Sequence, residues 1–285
     1  MPPAIAPESL RQYLSRARDQ FFRSLKAAVT SAIKGYPVES PSYGMWTLLL
    51  FPITSILHGR YSFTITPQFL LEADKGSARI AGNTKRYPDF GVALHPSNTD
   101  PSLVFLVEVK PVTIEFNSEA GEPNILLLNS ELYVVAGEQV LSNSPMTEQV
   151  NDQARFAFDT FPSAESVSII LTAGPMFSCV KYERDAMSPA DINLRRSARL
   201  PQGTPLPEMP VNSQGLPLLA QKAKDTTALP ITIEPTLIFD EEGSGRPNEQ
   251  LVLWMRETIV AAHEDLALEE HLFDAFNAVM GVGNA

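Results

Sequence analysis

Three residues on two neighbouring stretches carry the pattern with most chemical content: Asp89 in RYPDFGVALHP (86–96), and Glu108 with Lys110 in SLVFLVEVKP (102–111). Residues two apart on a strand project to the same face, so Glu108 and Lys110 stand together. If the two stretches pair as antiparallel strands in register, Asp89 comes to lie beside them. Two carboxylates and an ammonium at the end of an apolar strand are costly to bury unless something uses them. Magnesium prefers carboxylate oxygen and keeps several waters, so two acids plus phosphate oxygens from a substrate make a site for Mg²⁺ (or Mn²⁺). Lys110 then stands where it can orient or deprotonate an attacking water and steady charge on phosphate.

These residues need a particular set of elements around them. LVFLVEV is apolar on both faces, as buried strands are, and the intervening PSNTDP is rich in loop formers. Upstream, residues 8–34 read as one long helix, with Leu10, Leu14, Phe21, Leu25, Ala28, Val29 and Ile33 as its apolar stripe. Arg11, Arg16, Arg18, Arg23 and Lys26 fall on its other face, expected to be solvated. YSFTITPQFLLE (61–72) is expected to hold a strand, while WTLLLFPITSIL (46–57), broken by Pro52, fits helix or strand equally. Residues 111–145 stay equally open. Ser144-Pro145 opens a helix over MTEQVNDQARFAFDTF, stopped by Pro162, on which Gln149 and Gln153 sit one turn apart. SVSIILTAG (166–174) and MFSCVKYE (176–183) form a further strand pair.

The spacing Pro88-Asp89 followed by Glu108-Val109-Lys110 resembles the motif of the PD-(D/E)XK nuclease superfamily, and the resemblance spans roughly residues 8–184. It implies an α/β fold with a mixed sheet: a restriction-endonuclease-like αβββαβ core, the acids on its second and third strands. It also implies Asp89 and Glu108 as metal ligands with help from the Val109 carbonyl, Lys110 as the catalytic lysine, and Gln153 or Gln149 as a supporting residue. Some branches carry Tyr four positions after that glutamine; here Gln153 follows Gln149, and Ala157 follows Gln153. Other members add an acid near the first helix, for which Glu8, Glu39 and Glu72 are the available carboxylates. The implied activity is metal-dependent hydrolysis of phosphodiester bonds, with nucleic acid as partner and DNA ahead of RNA.

Outside residues 1–185 the composition changes. A proline-punctuated stretch (186–246) reads as an extended segment, and 247–285 as a helical extension broken near His263. The chain's 285 residues carry a net charge of −11, which argues against a polyanionic partner. That charge is uneven: residues 1–35 are +4, 36–180 are −8, 181–200 are +2 and 201–285 are −9. An alternative function follows, a catalytically inactive nuclease-fold protein that binds a protein partner through the acidic C-terminal part. Cys179 is the only cysteine, which excludes a disulfide scaffold and fits a cytoplasmic or nuclear, not secreted, protein. No stretch has the length of a membrane span. His58, His95, His263 and His271 lack metal-ligand spacing, and His95, six residues from Asp89, is the one expected near the site. LRRSARL (194–200) is a short basic cluster, expected to be solvated rather than a targeting or phosphate-contacting patch.

Overall fold

The computed structural model describes residues 7–34, 40–56, 60–72, 85–97, 100–111, 131–142, 144–186, 229–239, 246–263, 266 and 273–281. Glu39, the 194–200 cluster, and most of both the 111–145 and 186–246 stretches lie outside them. Among the described residues the chain is mixed α/β, with a six-stranded sheet and six helices.

α1 (Pro7–Lys34) and α2 (Ser40–Leu50) lead through a 3₁₀ turn at Phe51–Ser55 into β1 (Tyr61–Pro67). The undecided apolar run at 46–57 is therefore helical as far as Leu50, and Pro52 falls in the 3₁₀ turn, where its missing N–H costs little. Among the described side chains of α1 the buried ones are Phe22, Leu25 and Val29. Phe22 thus takes the place expected of Phe21, which is only partly buried. The arginine face is exposed at Arg16 and Arg23.

A two-stranded ribbon of β2 (Leu71–Glu72) and β3 (Lys85–Arg86) precedes the central strands β4 (Phe90–Pro96) and β5 (Ser102–Lys110). α3 (Glu131–Leu141) and α4 (Ser144–Thr160) then cross over to β6 (Ser166–Ala173), followed by β7 (Met176–Glu183) and β8 (Ile231–Leu237). The sheet order is β1-β4-β5-β6-β7-β8. All neighbours are antiparallel except β5 and β6, which run parallel, Lys110 opposite Ala173. A parallel neighbour requires a long crossover, here made by α3 and α4. β8 brings part of the proline-punctuated stretch into the sheet.

Both faces of the sheet are covered. Phe105, Val107 and Val109 of β5 join Leu25, Trp46, Phe177, Leu251, Met255 and Phe276 in one core, beneath α1, α2, α5 (Glu249–Ala261) and α6 (Asp274–Met280). Leu106 faces the other way, with Val150 and Ala154 of α4 and Ile169 and Leu171 of β6. This alternation along β5 sends Glu108 and Lys110 to the α4 face. Between Val92 and Ala93 the β4–β5 register shifts by one residue, leaving Val104 as a bulge at the far end of the pair. Cys179 is fully buried in the first core. Among the described residues no helix is long and apolar enough to cross a membrane.

Candidate active site

Asp89 sits one residue before β4, in a bend, and not on the strand itself. The register Phe90↔Val107, carried one step further, sets Asp89 opposite Glu108. Its carboxylate is buried, 5 % exposed, and Oδ2 accepts from the Val109 backbone amide at 2.7 Å. Oδ1 accepts from the Tyr43 hydroxyl and from Gln68 Nε2 at 3.3 Å. The N–H and C=O of one extended residue point to the same side of its strand, so the Val109 carbonyl faces the edge on which Asp89 lies.

Glu108 is 2 % exposed and receives donors from its own strand and from α4. Lys110 Nζ lies 2.5 Å from Oε1, with the lysine side chain 24 % exposed. Gln149 Nε2 donates to the same oxygen, and Gln153 Nε2 donates to Oε2 at 2.5 Å. α4 places both glutamines because positions four apart share a helix face. Burial pushes the Glu108 carboxyl above its ordinary value; the Lys110 ammonium opposes this and the Asp89 charge adds to it.

Asp89, Glu108, Lys110, Gln149 and Gln153 therefore gather at one end of the sheet with the backbone of Val109. Glu72 does not join them: its carboxylate is 3.8 Å from Lys85 and about half-exposed. Glu8 lies in the first turn of α1. His95 is also excluded, because six residues of strand separate it from Asp89 by about 20 Å. It pairs instead with Thr64 Oγ1 at 2.8 Å, near the opposite end of β4.

Sequence reading missed two residues of this site, Tyr43 and Gln68. Neither carries a spacing that marks it, and both reach Asp89 only through the way α2 and the end of β1 pack.

The site's fit to a divalent cation can be judged from its acceptors. All four carboxylate oxygens already accept a protein donor, two each at Asp89 Oδ1 and Glu108 Oε1, one each at Asp89 Oδ2 and Glu108 Oε2. A carboxylate oxygen has about two lone-pair directions, so Asp89 Oδ2 and Glu108 Oε2 each retain one. Among the described residues no group of three or more His, Cys, Asp or Glu gathers as a metal cage. Two carboxylates and a carbonyl do suit magnesium, which keeps most of its waters. A cation would also relieve the repulsion between Asp89 and buried Glu108.

No family model, curated protein or solved structure matches this chain.

Proposed function

We propose that the chain is a metal-dependent nuclease of the PD-(D/E)XK type, hydrolysing phosphodiester bonds of nucleic acid, DNA ahead of RNA. The observation that carries this reading is the meeting of Asp89 and Glu108 at the end of β5, with Lys110, Gln149 and Gln153 all donating to Glu108. The order α1-β1-β4-β5-α4-β6, three antiparallel strands and then a parallel fourth, supports the restriction-endonuclease-like core.

Asp89, Glu108 and the Val109 carbonyl would hold Mg²⁺ or Mn²⁺. The bound ion supplies positive charge to the phosphate and a lowered pKa for a coordinated water. The chain's own groups do the rest. Gln149 and Gln153 fix the Glu108 carboxylate from α4, and Glu108 in turn fixes the Lys110 ammonium. Lys110, partly exposed beside two buried acids, donates to the attacking water or to a phosphate oxygen as charge builds there.

The test is cleavage of end-labelled DNA and RNA with and without Mg²⁺ or Mn²⁺, comparing wild type with Asp89→Asn and Lys110→Ala. Metal-dependent cutting lost in both variants is expected; cutting that survives both sinks the assignment.

One observation favours a second reading, an inactive nuclease-fold protein acting through its acidic C-terminal part. Every oxygen of Asp89 and Glu108 already accepts at least one donor from the protein itself. The exposed Glu249, Glu257 and Asp274 would then belong to a surface for a basic partner. Calorimetric titration with Mg²⁺ separates the two: binding abolished by Glu108→Ala favours the nuclease, and no binding at all favours the interaction protein.

A further inference from the structure

Asp89 lies outside the strand ladder, so strand pairing does not fix its side chain. Beside the Val109 amide on Oδ2, two residues distant in sequence hold Oδ1. Tyr43 of α2 donates its hydroxyl to Oδ1, and its ring meets Phe90 edge-on at 5.5 Å, which aims the phenol. Gln68 Nε2 reaches the same oxygen at 3.3 Å and the Tyr43 hydroxyl at 3.2 Å.

Gln68 is also the one non-glycine residue with positive φ (+49°) among the described residues. That conformation is unfavourable for a residue with a Cβ, and glycine or asparagine are the usual occupants. The corner is forced from both sides: Gln68 N donates to the Asp89 carbonyl at 2.8 Å and Phe69 N to the Pro88 carbonyl at 3.0 Å. Phe69 packs on Gly91 so closely that a Cβ there would come within 2.2 Å of its ring. Glycine would make the same backbone bonds without the strain. What glycine cannot supply is the amide that bridges Tyr43 and Asp89, through bonds of 3.2 and 3.3 Å at the long end of the usual range. Backbone strain kept where a side chain contacts a candidate ligand residue points to function.

We propose that Tyr43 and Gln68 are positioning residues for Asp89: together they hold Oδ1, so that Oδ2 stays on Val109 and faces Glu108. The proposal rests on the nuclease reading and names the residues that set its first metal ligand.

Gln68→Gly and Gln68→Asn both accept positive φ and lose the reach to Asp89, so they separate side chain from backbone. The expected result is a melting temperature equal to or above wild type. Mn²⁺ affinity and kcat should fall about 10- to 100-fold, the usual cost of removing a ligand-orienting partner, while KM for the nucleic acid holds. Tyr43→Phe should show the same kcat loss at constant KM. A lower melting temperature in both Gln68 variants would make the residue structural and overturn the proposal, as would wild-type kcat and Mn²⁺ affinity in all three. A wild type that binds Mn²⁺ but cuts nothing removes the nuclease reading alone, and the affinities then decide. A wild type that does neither overturns both.

Discussion

The carboxylate of Asp89 takes the backbone amide of Val109 at 2.7 Å, a donor left over where β4 has not yet begun and the Pro88 carbonyl has turned to Phe69. A side chain thereby closes the sheet at the point where its backbone opens. Structure and chemistry are coupled in this one contact, since an unpaired buried amide is expensive. Asp89→Ala should therefore lower stability by about 1–3 kcal/mol, the cost of stranding a buried donor. Asp89→Asn, which keeps an acceptor, should cost less while removing activity as fully. Urea denaturation beside a cleavage assay checks this; equal destabilisation by Asn and Ala would show that charge, not the acceptor, is what Val109 needs.

The pH dependence of the site follows from Glu108. Its carboxyl is raised above 4.5 by burial, against Lys110 and with Asp89. The folded state thus holds that proton more tightly than the unfolded chain. The stability Glu108 contributes is complete below its ordinary value and is lost as pH rises through the folded value. A divalent cation competes with the same proton, so Mg²⁺ should raise the melting temperature more at about pH 8 than at about pH 5. Thermal scans at both pH values, with and without excess Mg²⁺, test the sign. Glu108→Gln should flatten both effects, and an Mg²⁺ shift of equal size at the two pH values would contradict the assignment.

Much of this was legible in the sequence for identifiable reasons. The strands around Glu108 could be read because seven residues of β5 in succession are buried, and a strand buried on both faces has to be apolar throughout. α4 could be read because Pro145 and Pro162 bracket it and Gln149 and Gln153 share a face. Asp89 was found by type, yet its place in a bend was not, because Pro88 marks a boundary without saying on which side the ladder begins. Tyr43 and Gln68 left no trace: a left-handed glutamine violates its own local preference, and only the tertiary bonds to residues 88 and 89 impose it. His95 failed for a metric reason, since sharing a strand face does not bring residues 20 Å apart together, at about 3.3 Å per residue.

Gly91, the second residue of β4, lies against the Phe69 ring, and a Cβ there would stand 2.2 Å from Phe69 Cγ. Phe69 is itself partly buried and stacked on Phe161 at 6.2 Å. Gly91→Ala should cost about 1–3 kcal/mol by overpacking. Because Phe69 follows Gln68, the same change should also disturb Asp89 and lower kcat. Phe69→Leu in the Gly91→Ala background should recover part of the stability, giving a coupling that a double-mutant cycle measures. Additive effects would mean that the clash is relieved elsewhere.

Arg184 closes the other end of the α4–β6 unit. Its Nε donates to the Ala164 carbonyl at 2.8 Å, and Nη2 to those of Phe158 and Phe161 at 3.2 and 3.1 Å, while the guanidinium lies 4.7 Å from the Phe158 ring centroid. These carbonyls belong to the last turn of α4 and the loop after it; Pro162 has no N–H to give the Phe158 carbonyl, while that of Phe161 also takes the Ala164 amide at 3.0 Å. A lysine presents a point charge and cannot fork across three acceptors. Arg184→Lys should therefore destabilise by about 2 kcal/mol, two to three net hydrogen bonds, and Arg184→Ala by slightly more. Ser166, where β6 begins, lies beside this cap, and Leu171 lies opposite Glu108, so five residues of strand, about 17 Å, separate cap from site. Cleavage well below the melting temperature should stay at the wild-type rate in both variants. A loss of kcat in Arg184→Lys with stability unchanged would show that α4 transmits its C-terminal anchoring to Gln149 and Gln153, and would reverse this separation of roles.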